Sequence, residues 1–264
     1  MMAPLLAGVF GALTPVKEIT LSHLVTAVYV GITLSLCQAA GQCLNQYADV
    51  ELDKVVKPYR PLPSGLVTRD EALGLSWLLA IFATGRGFTI STFFGLTVLT
   101  LLFFAVFYSL TPFSPRRIHP VLNTGWMAFS RGFLPVMAVW SVYGDMGQAW
   151  QYALLAFTWV MGFQASKDVP DVEGDREYGI KTIPNTWGVN GLLTTMTVCV
   201  GTFTLLSTIF NTPFMLILLP LGVAAMITVK KQATLIENTY SWCAFYLGLG
   251  LLYILMFIGE RFIL

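Results

Sequence analysis

The sequence predicts an all-α membrane protein, about nine transmembrane helices in a bundle that encloses a cavity open to the cytoplasmic side. Three observations predict it: an apolar composition, apolar runs of membrane-crossing size, and a one-sided distribution of basic residues. Of 264 residues, 56% are hydrophobic and 11% charged, against about 25% charged in soluble domains. Runs broken by polar or Pro/Gly punctuation recur at about 3–16, 24–44, 71–85, 90–110, 120–143, 148–166, 191–210, 212–229 and 241–259, and a helix crosses the hydrocarbon core with about 20 residues. The first run is too short to span fully and lacks a basic flank. It is expected to be the tail of a longer helix or a short half-buried segment.

The basic residues orient these runs. Loops after the second, fourth, sixth and eighth runs hold Lys54, Lys57, Arg60, Arg69, Arg116, Arg117, Lys167, Arg176, Lys181, Lys230 and Lys231, eleven of the 15. The other side holds Lys17, Arg86 and Arg261. By the positive-inside rule the eleven-charge side is cytoplasmic. Arg131 falls within the fifth run, where a charge is costly, and so is expected to face the interior or a polar cavity.

No linker or low-complexity stretch divides the chain, so residues 1–264 read as one domain. Acidic windows at 45–53 and 168–175, each at the end of an even-numbered run with four runs between them, suggest duplication of a four-helix unit. A net charge of +1 argues against nucleic acid as a partner. The four cysteines, Cys37, Cys43, Cys199 and Cys243, lie in apolar stretches without metal-type spacing and read as small buried hydrophobes. His23 and His119 have no metal-ligand spacing either.

Negative charge is concentrated: ten of 14 acidic residues lie in or just beyond those two windows. Asn45, Asp49 and Asp53, spaced four and four, share one face of a helix. Asp168, Asp171 and Asp175, spaced three and four, keep to one stripe as well, with a bend or restart near Pro170. Both windows lie on the cytoplasmic side and can share one cavity. Two facing carboxylate stripes repel unless neutralised, and Mg²⁺, which takes one or two carboxylates with phosphate oxygens and water, suits them. The metal candidates are therefore Asn45, Asp49, Asp53, Asp168, Asp171 and Asp175, with Asp49, Asp53, Asp171 and Asp175 as the catalytic set, holding a diphosphate between them. Glu51 and Glu173 sit off the stripes and read as solvated or base-paired.

Bases flank the acids. The proline-paced segment Lys57-Pro58-Tyr59-Arg60-Pro61-Leu62-Pro63-Ser64-Gly65 can hold Lys57 and Arg60 near a phosphate at low entropic cost. Arg116, Arg117, Lys167 and Lys181 are further phosphate-binding candidates. Tyr108 can line the cavity roof or anchor at the interface, and Asn123 can line the cavity or make an interhelical hydrogen bond.

At these residues the chain resembles the UbiA superfamily of intramembrane prenyltransferases. Asn45 to Asp53 resembles the first acidic motif, Asp168 to Asp175 the second, and the flanks Lys57 to Gly65 and Gly174 to Thr182 are similar to those of the family. Two departures stand out. No basic residue precedes Lys17, where the family often has a first-helix Arg, and Tyr108 is followed four residues on by Pro112 where the family has Lys. The resemblance implies a nine-helix bundle whose cavity also opens sideways to lipid, and Mg²⁺-dependent transfer of an isoprenyl group from a polyprenyl diphosphate donor to a lipophilic acceptor, with membrane lipid around it. An aromatic or quinone-precursor head group is the first acceptor class; a glyceryl phosphate ether lipid or a chlorophyllide is the alternative. Terpene cyclisation and cation-coupled transport are the rival activities.

Overall fold

The computed structural model describes residues 2–110, 112, 114–143, 146–231 and 239–263, and every regular element among them is helical. Helix α1 (Met2–Leu6) runs into a π-helical turn (Ala7–Gly11). That turn lies against α2 (Leu21–Ala48) at a glycine pair, Gly8 facing Gly31; a Cβ on Gly8 would collide with the Gly31 backbone. Thr20 and His23 form a capping box that starts α2. His23 thus acts through its place in the cap.

Beyond α2 come the short α3 (Val50–Val56) and a proline-rich loop closed by Gly65 at φ 79°. Helix α4 (Arg69–Ile90) starts at a second capping box: the Glu71 N–H donates to Thr68 Oγ1 (3.2 Å) and the Thr68 N–H to Glu71 Oε2 (2.8 Å). Helices α4 and α5 (Thr92–Leu110) pack together and on α2, while their outer faces present Trp77, Ile81, Phe82, Phe93 and Phe103. Such apolar surface is stable in lipid and unstable in water. Arg86, in the span of α4, lies 3.5 Å from the Tyr29 ring centroid and bonds Thr33 Oγ1 (3.3 Å), which offsets part of its desolvation.

The short α6 (Pro115–Ile118) leads into a rod of α7 (Pro120–Ala128), a second π-helical turn (Phe129–Phe133) and α8 (Leu134–Trp140). Helix α9 (Ala149–Phe163) forms the centre, burying Tyr152, Leu155, Trp159 and Phe163. A 3₁₀ turn (Gln164–Asp168) and α10 (Val172–Glu177) follow. Helix α11 (Ile183–Ile209) is kinked at Gly188, whose φ of 69° favours glycine. A 3₁₀ turn (Pro213–Leu218) continues into α12 (Leu219–Lys231). Helix α13 (Thr239–Phe262) returns to the N-terminal π turn and to α9, where the Trp159 indole N–H donates to the Phe245 carbonyl (3.1 Å).

Six of these helical rods are long and apolar enough to cross a membrane: α2, α4, the rod beginning at Thr92, α11, Pro213–Lys231 and α13. Rods of this length, with apolar outer faces, suit a bilayer. Helical segments occupy the other three apolar runs as well. Their length or their π-helical interruptions set them apart: α1 has 5 residues, α7 has 9 before its π turn, and α9 has 15.

Candidate active site

Helical hydrogen bonding carries the first acidic motif across the α2–α3 junction. Asp49 has φ −99° and ψ 13°, yet its N–H donates to the Asn45 carbonyl (2.9 Å), the Asp53 N–H to Asp49 (2.8 Å) and the Lys57 N–H to Asp53 (2.8 Å). Asn45, Asp49, Asp53 and Lys57 therefore stay on one face. The Asn45 amide also donates to Asp49 Oδ2 (2.7 Å).

The second motif does not form one continuous stripe. Asp168 ends the 3₁₀ turn, Asp171 precedes α10 and Asp175 lies within it, because Pro170 interrupts the helix as its missing N–H requires. The Asp175 N–H still bonds the Asp171 carbonyl (2.8 Å). Gly179, at φ 68°, turns the chain back so that the Ile180 N–H reaches the Asp175 carbonyl (2.8 Å).

Three contacts join the two motifs. Lys57 forms an ion pair with Asp171 across 114 positions of sequence. The Tyr178 hydroxyl donates to the Glu51 carbonyl (3.2 Å), and Gly174 lies so close to Val56 that any side chain there would displace it. The sequence-predicted convergence of the acidic windows is present in the structure.

Helix α6 supplies a further base. Arg116, 5% exposed, donates from Nη1 to Asp49 Oδ2 (2.7 Å) and lies 5.4 Å from the Tyr108 ring centroid. Its carbonyl accepts from the Lys181 N–H (2.6 Å). Asn123 completes the clasp: its amide donates to the Lys181 carbonyl (2.9 Å), and Tyr108 OH donates to Asn123 Oδ1 (3.2 Å). Asn123 makes an interhelical tie, the second of the roles its position suggested. The Lys181 ammonium bonds the Ile118 carbonyl (3.1 Å), and Arg117 is exposed; neither pairs with an acidic residue among the described residues.

Most of the acids are neutralised in pairs. Arg60 holds Asp53 (2.6 Å) and Lys167 holds Asp168 (2.7 Å), while Lys54 holds Glu51 (3.0 Å), the base-paired role expected for that glutamate. Among the described residues no three acidic, His or Cys side chains converge as a ready ligand set. Burial raises the Asp53 carboxyl above its ordinary range, with Arg60 opposing. Asp175 is 6% exposed and has no basic partner among the described residues; it accepts a hydrogen bond from Thr182 Oγ1 (3.3 Å). Burial, then the charge of Asp168, push its carboxyl from 3.8 up to about 8. The donor set is hard oxygen with an uncompensated buried carboxylate, which fits Mg²⁺.

That shift gives a stability prediction for the metal-free protein. A carboxyl raised in the folded state binds more protons folded than unfolded, so its contribution is complete below about pH 4 and is lost as pH rises towards 8. Thermal unfolding should show a decline across this range, and Asp175→Asn should flatten it. A wild-type profile as flat as the variant's would contradict the assignment.

Beneath the motifs lies a cavity of about 170 Å³. Stripes of α2 (Leu34, Gln38, Gln42, Asn45) and α5 (Leu101, Phe104, Tyr108) line it, with Ser130 and Arg131 from the π turn, Lys167, and Leu249 and Tyr253 from α13. Asn45, Tyr108 and Lys167 mark its acidic end, and Ala3, Pro4 and Ala7 contribute apolar lining. Gln38 and Gln42 were not among the sequence candidates, although spacings of four and three to Asn45 place all three on one helical stripe.

Comparison with known proteins assigns the chain to a family. The model of the UbiA prenyltransferase family matches residues 1–258. The chain belongs to that family. Among curated relatives, the digeranylgeranylglyceryl phosphate synthase of Thermococcus kodakarensis is 34% identical over 185 residues, 68% of this chain and 64% of that protein. The probable chloroplastic homogentisate phytyltransferase 2 of Oryza sativa subsp. japonica is 34% identical over 162 residues, 56% of this chain and 41% of the relative. These matches span less than two thirds of the relatives' own lengths. Solved UbiA homologues share the fold: one from Aeropyrum pernix K1 has TM-score 0.71 at 19% identity, covering 98% of this chain and 95% of the other. One from Archaeoglobus fulgidus, bound to GPP and Mg²⁺, has TM-score 0.70 at 17% identity, covering 98% and 94%.

Proposed function

We propose that this protein transfers an isoprenyl group from a prenyl diphosphate to a lipophilic acceptor with Mg²⁺, in one domain of nine membrane-crossing segments. The observation that carries the reading is the Lys57–Asp171 junction, which joins both acidic motifs above a cavity lined by apolar side chains of α2, α5 and α13 and by a few polar groups, Gln38, Gln42, Ser130 and Arg131 among them. Asn45 and the five aspartates Asp49, Asp53, Asp168, Asp171 and Asp175 would hold the metal. When bound, Mg²⁺ supplies positive charge against the oxygens of the departing diphosphate.

The remaining steps belong to the chain's own side chains. Lys57, Arg60, Arg116 and Lys167 each pair with an aspartate, and each can turn its donors to phosphate oxygens as the diphosphate arrives. Positive charge developing at C1 of the donor is then shielded from water by the walls of α2, α5 and α13. The acceptor's nucleophile captures C1 from the cavity, and a proton is lost from the acceptor.

Similarity to the archaeal synthases favours a glyceryl phosphate ether lipid as acceptor. The rice relative supports an aromatic, quinone-precursor head group as the second reading. Mass spectrometry of products from purified protein, one prenyl diphosphate and a panel of both acceptor classes tests the choice. A prenylated member of one class identifies it; no prenylated product with any acceptor contradicts the transfer reading.

The motifs are proposed to face the cytoplasm, from the eleven bases on that side. Ser64 and Glu177 are exposed, one near each motif, whereas Thr182 is 3% exposed and caps α11. In a background without the native cysteines, Ser64→Cys and Glu177→Cys should react with an impermeant thiol reagent from the cytoplasmic face alone. Labelling of the two from opposite faces would break the shared site, since a bilayer core about 30 Å thick would separate them.

A further inference from the structure

One cation on the cavity wall holds no carboxylate among the described residues. Arg131 lies in the π-helical turn Phe129–Phe133, an irregularity found disproportionately at functional sites. Its neighbour Gly132 is pressed onto α9, where a Cβ would come within 2.6 Å of the Ala156 carbonyl oxygen, while Arg131 lines the cavity. Lys57, Arg60, Arg116 and Lys167 each hold an aspartate. Arg131 holds none, and no acceptor pairs with its guanidinium among the described residues. Its charge acts on Lys167, another cation on the same cavity wall.

An unpaired guanidinium within an apolar bundle is costly, and a bound anion compensates it. Its place on the rod and its lack of an aspartate partner set Arg131 apart from the four paired cations of the motifs. Asn123 ties the rod to Lys181 at the level of the motifs, and Arg131 follows eight residues later, about 12 Å along the rod at helical rise. Ser130 beside it, and Gln38 and Gln42 on α2, add polar groups to the same walls.

We propose that Arg131 binds the anionic head group of the acceptor, a phosphate or a carboxylate, and so selects anionic over neutral acceptors. The inference rests on the prenyl-transfer reading and adds a specificity residue to it. The guanidinium fork suits either anion.

The experiment uses the full chain in detergent and four probes: a prenylglyceryl phosphate, a dihydroxyphenyl carboxylate, and the neutral counterpart of each, the glyceryl ether alcohol and the carboxamide. Equilibrium binding of each is measured without donor, and KM for donor and acceptor with it. Arg131→Gln should weaken binding of the preferred anionic probe by about 10- to 100-fold, leave its neutral counterpart unchanged, and keep the donor KM within about twofold. Arg131→Lys should restore part of the preference, and it provides the comparison if the Gln variant fails to fold. An unchanged anionic-to-neutral ratio would overturn the inference, as would an increase confined to the donor KM. The binding arm decides on Arg131, and turnover of the wild type decides separately on the reaction.

Discussion

Replacing Asp171 or Asp49 by Asn is expected to lower turnover by at least about 100-fold, while the protein elutes from size exclusion as the wild type does. Each variant removes one carboxylate from one motif. If both motifs serve one diphosphate, neither compensates for the other, and loss of one electrostatic contact to a leaving group is typically worth about 10²–10³ in rate. Asn is the informative replacement. Asp49 accepts from the buried Arg116 guanidinium (2.7 Å), and Ala would leave that charge without a partner, confounding lost chemistry with lost stability. The amide oxygen of Asn still accepts. Turnover near the wild-type rate in either variant would remove that aspartate from the site.

Arg116→Met carries the second large effect. Its side chain is 6% exposed, and it pairs with Asp49, stacks near Tyr108 and bonds the Ser109 carbonyl (3.4 Å). Removing one partner of a buried pair strands the other, so the variant should lose about 3 kcal/mol of stability as well as activity. Arg117→Met, one residue on and exposed, should change stability by about 0.5 kcal/mol or less. Unfolding of both in detergent, with Asp49→Asn/Arg116→Met closing the cycle, measures the coupling. Equal effects at 116 and 117 would contradict the buried-pair geometry.

Patterns local in sequence were legible before any coordinates. Apolar runs placed several rods to within a few residues, 24–44 against Leu21–Ala48 and 212–229 against Pro213–Lys231, because membrane-length hydrophobicity is a strong signal. The run 191–210 missed the start of α11 at Ile183, where the polar Asn185, Thr186 and Asn190 mask the helix. The Asn45–Asp49–Asp53 face followed from a period of four. The interior position of Arg131 followed from the cost of charge in lipid, and the structure places that residue on the cavity.

What escaped the sequence depends on tertiary placement. Nothing in the spacing of Lys57 selects Asp171 over any other acid, and nothing distinguishes buried Arg116 from exposed Arg117, since which of two adjacent residues faces inward is set by how the four-residue α6 docks. Lys181 has the character of a phosphate ligand, yet its main chain anchors Arg116 and its ammonium bonds a carbonyl. The π turns at Ala7–Gly11 and Phe129–Phe133 leave no mark in hydrophobic period. Their close approaches are visible only in retrospect, through Gly8 and Gly132.

Release of inorganic diphosphate by the purified protein tests the central claim most directly. Given a prenyl diphosphate, Mg²⁺ and an acceptor, the protein should release one diphosphate per prenylated product. Release should stop when Mg²⁺ is chelated, when acceptor is omitted, or in either Asn variant. Release at the same rate without acceptor would indicate cyclisation or hydrolysis in place of transfer, and no release with any donor and acceptor would contradict the two-motif site altogether.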